Sequence, residues 1–131
     1  MKLNSYLFKI IFLNLLSVFC IKNLEASHAL GIDITYTCLG NNQYEFIFRY
    51  YRDCDGVSAP NSVSLTFYSA SCNKTFYQTL QYVPYKKEVS PLCMSSKGKT
   101  TCGNGNLPGV EEYVYKSKVT FPLNCADWEI S

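Results

Sequence analysis

The strongest constraint on this chain is an alternation of apolar and polar side chains with a period of two residues. In YEFIFRYYR (44–52) every second side chain is aromatic, whereas SVSLTF (62–67) alternates apolar residues with Ser and Thr. Successive side chains of a β-strand point to opposite faces, so this period indicates strands with one buried face. The whole pattern predicts six strands and no helix, at 31–37, 44–52, 62–67, 75–83, 110–121 and 127–131.

The connections between these stretches carry turn residues. LGNNQ (39–43) places a glycine and two asparagines between the first two strands, and such residues tolerate the left-handed backbone of a hairpin turn. The stretch 84–108 is too polar and too interrupted by Pro and Gly for a strand, so it predicts a long loop. Short strands with this spacing of turns predict an all-β domain, an antiparallel immunoglobulin-like β-sandwich over residues 27–131.

The first 26 residues have the pattern of a secretory signal peptide. Lys2 and Lys9 precede an apolar run at 10–21, which is too short for a membrane span of about 20 residues. Cleavage is expected after Ala26, with Ala29 as the alternative. We therefore expect a secreted or cell-surface protein with no membrane span after cleavage.

Removal of this leader makes the remaining chain neutral. The formal charge of +2 comes from residues 1–26, and no dense basic run remains in 27–131. Nucleic-acid binding needs a basic surface, so nucleic acid is not expected as a partner.

The cysteine count predicts a disulfide framework. Cys20 leaves with the leader, and an even number of cysteines in an exported chain indicates disulfides, here three among Cys38, Cys54, Cys72, Cys93, Cys102 and Cys125. Structural zinc sites use ligands two to four residues apart, and no pair of these cysteines is that close. Cys93 and Cys102 are nearest in sequence, and a bridge between them would tie the 84–108 loop to itself. Fifteen pairings are open in principle.

The stretch YYRDCDG (50–56) raises the question of a metal site. Asp53, Asp55 and Gly56 resemble a shortened calcium-binding loop, but no acidic ligand follows. The favoured interpretation is a strand end, with Arg52 exposed, Cys54 bridged and a turn at Asp55–Gly56. Calcium at Asp53 and Asp55 is the weaker alternative, and no cofactor is expected.

No catalytic residues are proposed from the sequence. The one histidine, His28, lies at the new N-terminus, where nothing holds it beside a nucleophile. Glu111 and Glu112 are neighbours on a strand, so their side chains point to opposite faces.

The chain is rich in aromatic residues, with 11 Tyr, 8 Phe and 1 Trp. So many tyrosines cannot all be buried with partners for their hydroxyl groups. We therefore expect a binding surface on an aromatic sheet face, at Tyr113 and Tyr115, or on the 84–108 loop. The alternative is that cross-strand aromatic pairs only stabilise the sheet.

Several stretches together resemble a known family. SHALGIDITYTCLGNNQYEF, FRYYRDCDG, EVSPLC and CGNGNLPGVEEYVYKSKVTFPLNCADW are similar to the N-terminal domain of large secreted surface proteins of Bacteroidetes, many of which end in a gliding-motility-associated C-terminal sorting domain. LPGVEEYVY and NCADW are the most specific parts of the resemblance, which covers nearly all of 27–131. It implies an uncharacterised, disulfide-rich extracellular module.

The family pattern continues beyond Ser131 towards further cysteines, so we expect 27–131 to be a truncated version that lacks an edge of one sheet. With Cys93–Cys102 as the first expected bridge, Cys54–Cys72 and Cys38–Cys125 are the remaining two.

The sequence as a whole predicts a non-catalytic interaction or adhesion module with an unknown protein or glycan as its partner. One alternative is a structural spacer without a ligand. The other is a secreted hydrolase that uses Asp53, Asp55 or Glu112.

Overall fold

The structure, a computed structural model, describes residues 29–131. Six strands account for most of this range, and each coincides with a predicted one: β1 Ala29–Gly40, β2 Gln43–Asp53, β3 Ser62–Ser69, β4 Lys74–Glu88, β5 Val110–Thr120 and β6 Glu129–Ile130. Two single 3₁₀ turns, Met94–Ser96 and Thr101–Gly103, lie in the loop between β4 and β5. The predicted signal peptide, 1–26, and His28 lie outside the described residues.

All six strands belong to one antiparallel sheet in the order β1-β2-β5-β4-β3-β6. This confirms the all-β, antiparallel prediction. The sheet curls into a half-barrel, and its two sides come face to face across the interior. Phe46 on β2 and Phe67 on β3 are separated by two strands in the sheet order, yet their ring centroids are 5.2 Å apart.

The concave face of the half-barrel carries the core. Eight side chains are buried there: Phe46, Phe48, Leu65, Phe67, Leu80, Tyr115, Val119 and Phe121. Those on the strands occupy alternate positions, as the period of two predicts. Burial of each large apolar side chain contributes roughly 1.5–3 kcal/mol, so this face dominates the stability of the fold.

The turn between β1 and β2 forms as predicted. Asn41 and Asn42 both adopt positive φ angles, 51° and 58°, which a two-residue type I′ hairpin turn requires. Asparagine tolerates this conformation better than most residues, so the local sequence sets the register of the hairpin.

The loop predicted at 84–108 is too long at its N-terminal end, because β4 continues to Glu88 in the structure. β4 continues through Pro84 to Glu88, and its pairing with β5 shifts register between Tyr82 and Lys86. Proline cannot donate a ladder hydrogen bond and is tolerated in sheets at such irregularities. The connection between β4 and β5 therefore spans only residues 89–109.

The disulfides differ from all three expected bridges. Cys54 pairs with Cys102, and Cys72 pairs with Cys125, whereas Cys38 and Cys93 are free and exposed. Proximity in sequence was the wrong guide, because β2 and β5 are neighbours in the sheet and Asp53 lies opposite Val110, which places the end of β2 beside the β4–β5 loop. Cys54–Cys102 therefore ties that loop to β2 and not to itself.

The second bridge fixes the chain after β5. Cys72 lies in the turn between β3 and β4, and Cys125 lies in the segment that leads to β6. The Cα atoms are 6.3 Å apart, a usual spacing for a disulfide. This bridge holds residues 121–130 across one end of the concave face.

Candidate binding cleft at the seam of the half-barrel

The structure places the predicted binding tyrosines on the concave face of β5. Tyr115 is fully buried, and its hydroxyl donates a hydrogen bond of 2.6 Å to the carbonyl of Pro60. Burial raises the pKa of Tyr115 to about 12. The prediction of Tyr115 as a surface residue is therefore wrong, since the loop before β3 supplies a partner for the buried hydroxyl.

Tyr113 is half-buried and belongs to a polar network. Its hydroxyl donates to Glu111 Oε2 at 3.1 Å, and Lys86 Nζ lies 2.6 Å from Glu111 Oε1. The guanidinium of Arg52 lies 3.4 Å from the same carboxylate and 5.9 Å from the Tyr113 ring centroid. Two cations thus compensate the charge of the buried Glu111. Tyr113 belongs to this network through its hydrogen bond to Glu111, so its role is structural.

The YYRDCDG stretch is a strand end held by hydrogen bonds. The backbone N–H of Asp55 donates to Asp53 Oδ1 at 3.1 Å, and that of Gly56 donates to the Asp53 carbonyl at 3.0 Å. Arg52 is buried, contrary to expectation, because its guanidinium donates to the carbonyls of Val57 and Cys54. Asp53 Oδ1 therefore accepts a hydrogen bond that stabilises the turn.

Metal-ligating side chains converge at one place within residues 29–131. Cys54, Cys102 and Glu111 offer atoms within 4.8 Å of one another. The two sulfur atoms are bonded to each other, and Glu111 is paired with Lys86 and Arg52. All three groups are therefore engaged in contacts that fix the β4–β5 loop to the end of β2.

Glu112, the remaining carboxylate considered for hydrolysis, lies on the convex face. Arg49 Nε is 3.4 Å from Glu112 Oε1, and the Tyr51 hydroxyl donates to the same oxygen at 3.4 Å. Desolvation, with the nearby Glu112 charge, raises the pKa of Tyr51. The structure therefore places Glu112 in a cross-strand polar contact on the opposite face of β5 from Glu111.

An aromatic cleft of about 220 Å³ opens at the seam of the half-barrel, between β1 and the chain that follows β5. Five rings line it: Tyr36, Tyr44, Phe46, Phe121 and Trp128. Asn42 and Asn124 also line it, and no charged residue of the described range does. The cleft thus combines aromatic rings with a nearly equal share of uncharged polar surface.

The rings form a connected wall. Phe121 and Trp128 have centroids 5.1 Å apart, and Phe121 is also 5.1 Å from Tyr44. Trp128 packs edge-on against Phe76 at 5.4 Å. Tyr36 is different, because it contacts Tyr44 and Phe46 yet remains 64% exposed, so its ring is available to a ligand.

The segment that carries Trp128 is attached at several points, among them the pairing of β6 with β3. The backbone N–H of Phe121 donates to the Asn42 carbonyl at 2.9 Å, and Cys125 is bridged to Cys72. Asp127 accepts hydrogen bonds of 2.6 Å from the hydroxyls of both Ser69 and Ser71 and one of 2.8 Å from the Ser71 N–H. These bonds, that from Ser69 first, hold the pKa of Asp127 well below its usual range. The wall is therefore preorganised.

The sequence analysis singled out several residues of this cleft, but it did not predict that they lie close together. Tyr36, Tyr44 and Trp128 belong to the aromatic excess, and NCADW, which carries Trp128, is part of the resemblance. Only the curl of the sheet and the Cys72–Cys125 bridge bring β1 close to the chain after β5.

The other surface considered, the β4–β5 loop, is fixed by its own hydrogen bonds. Thr100 donates to Glu88 Oε1 at 2.6 Å, and the N–H groups of Thr101 and Gly105 donate within the loop. A second cavity beside it, also of about 220 Å³, is lined by Glu88, Ser90, Leu92, Lys97 and Gly98. It has no aromatic lining, so the seam cleft is the better candidate.

Comparison of the chain with protein-family models, with curated proteins and with solved structures finds no match. In the range 29–131, no helix is long and apolar enough to span a membrane. The two disulfides are typical of proteins that fold in an oxidising compartment.

Proposed function

We propose that this protein is an exported, non-catalytic binding module of the cell surface, and that its ligand enters the seam cleft. The observation that carries the proposal is a preorganised cleft lined by five aromatic residues and two asparagines, with no charged lining residue in the described range. Ligand sites in proteins are typically concave, apolar and equipped with a few polar groups that set orientation.

The lining favours a neutral glycan as the ligand. The C–H faces of a sugar ring are apolar and pack against aromatic rings, whereas its hydroxyls need partners that donate and accept. Tyr36 supplies an exposed ring, and Asn42 and Asn124, which line the cleft, have amide groups of the type that both donates and accepts hydrogen bonds. An anionic sugar would find no cation among the lining residues.

The size of the cleft limits the ligand. Its volume of about 220 Å³ is smaller than the roughly 300–1,000 Å³ of sites for drug-sized molecules. We therefore propose that it takes one sugar unit, such as the end of a chain or a branch, and that affinity on a surface comes from many copies.

Two features support the proposal that the protein is exported. The leader pattern at 1–26 and the two disulfides both favour a protein that acts outside the cytoplasm. We keep the resemblance to extracellular modules of Bacteroidetes surface proteins as part of the proposal. An immunoglobulin-like relationship is also proposed, supported by the edge-to-face contact of Phe46 and Phe67, which joins the two sides of the curled sheet.

The single tryptophan of the chain provides the test. Trp128 lines the cleft, so its fluorescence should change when the mature protein is titrated with neutral oligosaccharides such as chito-, cello-, manno- and xylo-oligosaccharides. Tyr36→Ala should weaken binding about tenfold, the equivalent of ~1.4 kcal/mol for one aromatic contact. Tyr77→Ala is the matched control, because Tyr77 is 73% exposed on the convex face.

Three results would contradict the proposal. The first is a wild-type protein that binds none of these oligosaccharides, which would leave the spacer alternative. The second is binding that survives Tyr36→Ala but is lost in Tyr77→Ala, which would move the site to the convex face. The third is turnover of a glycan or ester substrate, which would support the hydrolase alternative.

A further inference from the structure

The outer edge of β1 is an unusual feature of the sheet. β1 is twelve residues long and lies at one end of the strand order, with β2 as its neighbour among residues 29–131. Alternate backbone N–H and C=O groups along its outer side therefore point away from β2. Such an edge is a template for another extended chain.

The edge lacks the usual protection against pairing. Sheet edges are normally shortened, interrupted by proline or bulges, or guarded by charges, above all lysine. β1 (ALGIDITYTCLG) has no lysine and no proline, and Asp33 is its one charged residue. Its register with β2 shifts only near its two ends and is regular from Gly31 to Cys38. β6, the opposite edge, is only two residues long.

Apolar side chains along this edge are also exposed. Leu30, Ile32 and Tyr36 are 58%, 60% and 64% exposed, and the latter two lie on the concave side with the half-buried Ile34. The polar residues Asp33, Thr35 and Thr37 alternate with them on the convex side. A partner strand must therefore have the same alternation, and β1 itself has it.

We propose that β1 pairs antiparallel with β1 of a second copy, about a twofold axis at Ile34. Residues directly opposite in an antiparallel pair share a face, so apolar residues must meet apolar residues. This register places Ile34 beside Ile34 of the second copy and Ile32 beside Tyr36. The two most exposed concave side chains of the strand thus cover each other. Because Tyr36 also lines the seam cleft, the dimer and a ligand in the cleft compete for this ring, and glycan binding is measured at protein concentrations at which the monomer predominates.

Charge excludes one of the registers with the same alternation, and the mutual cover of Ile32 and Tyr36 favours Ile34 among the rest. A twofold axis at Asp33 would place the two Asp33 carboxylates opposite each other, which is destabilising. With the axis at Ile34, Asp33 lies opposite Thr35 of the second copy and keeps its ion pair with Arg49 at 3.4 Å. The chosen register therefore brings no like charges directly opposite.

The dimer should be reversible. A pair of strands buries less surface than the ~800 Å² per partner of a standard stable interface, so its population should rise with protein concentration. Sedimentation velocity up to about 1 mM, the weak end of specific association, tests this directly. The exposed Cys38 and Cys93 are first replaced by serine to exclude adventitious disulfides.

A lysine on the edge should abolish the dimer. Ile32→Lys introduces a gatekeeping charge at an exposed position that does not line the seam cleft, so the fold and glycan binding should persist. Tyr77→Lys is the matched control on the convex face and should still dimerise. The proposal would be overturned if the parent protein with Cys38→Ser and Cys93→Ser is monomeric at every concentration. It would also be overturned if Ile32→Lys, with native circular dichroism, dimerises as well as that parent.

The register has its own test. A residue on the proposed axis lies opposite itself, so Ile34 faces Ile34 of the second copy within the usual Cα spacing of a disulfide. In a protein with Cys38→Ser and Cys93→Ser, Ile34→Cys should give a covalent dimer on oxidation with diamide. Leu123→Cys, at an exposed position away from β1, should cross-link far less. Equal cross-linking by the two variants would contradict the register.

Discussion

Removal of the Cys72–Cys125 bridge should cost a large part of the stability of the fold. The bridge closes a sequence separation of 53 residues, for which loop-closure entropy predicts a stabilisation of about 4 kcal/mol at 25 °C. An ordinary domain has a net stability of about 5–15 kcal/mol, so this one cross-link is a substantial part of the total. We expect the double variant Cys72→Ser/Cys125→Ser to be folded but marginally stable.

Urea unfolding at 25 °C, followed by Trp128 fluorescence, measures this loss. Because Trp128 lies three residues after Cys125, its emission reports on the segment that the bridge holds. With m-values of about 1–3 kcal/mol/M, the midpoint should fall by roughly 1.3–4 M. The control is Cys38→Ser/Cys93→Ser, which removes two exposed free cysteines and should change the free energy of unfolding by about 0.5 kcal/mol or less.

The outcome separates two sources of stability. If the bridge variant unfolds within about 1 kcal/mol of the wild type, the entropy of the cross-link does not contribute as calculated. The aromatic core and the hydrogen bonds to Asp127 would then hold the segment without it, and the reasoning above would be refuted.

Three further predictions follow from single contacts. Tyr115→Phe leaves the Pro60 carbonyl without its buried donor and should lower the free energy of unfolding by about 1–2 kcal/mol in urea titrations; an unchanged value would contradict the contact. Folding lowers the pKa of Asp127, so the ionised carboxylate stabilises the fold above its unfolded pKa, and this stabilisation is lost as the pH falls towards the folded pKa. Between pH 5 and pH 2 the free energy of unfolding of the wild type should therefore decrease more than that of Asp127→Asn. Equal decreases would refute this. Gly109→Ala would place a Cβ 2.5 Å from Cys102 Sγ, so a thiol assay in denaturant should find additional free cysteines, and a wild-type thiol count would count against this close packing.

Local features of the sequence predicted the strands well. The alternation in 44–52 identified β2 and the face that carries Phe46 and Phe48, because a period of two depends only on neighbouring residues. Asn41 and Asn42 predicted the first hairpin for the same reason. Pro84 gave a wrong prediction of the end of β4, because proline normally ends a strand but is accommodated here by a register shift.

Features that depend on the sheet order were not predictable in this way. The pairing of Cys54 with Cys102 requires that β2 and β5 be neighbours and that the β4–β5 loop return to the end of β2. The alternation placed Tyr113 and Tyr115 on one face but did not say that this face is concave. The cleft likewise depends on a contact between distant segments, so only the fold brings Tyr36 and Trp128 to it.

The arrangement of the disulfides is the claim on which the curled sheet and its cleft most depend. Peptide mapping by mass spectrometry of protein recovered outside the cell, digested without reduction, tests it most directly. We predict cross-linked peptides that join Cys54 to Cys102 and Cys72 to Cys125. Peptides that join Cys72 to Cys54, or Cys102 to Cys93, in folded protein would contradict the account.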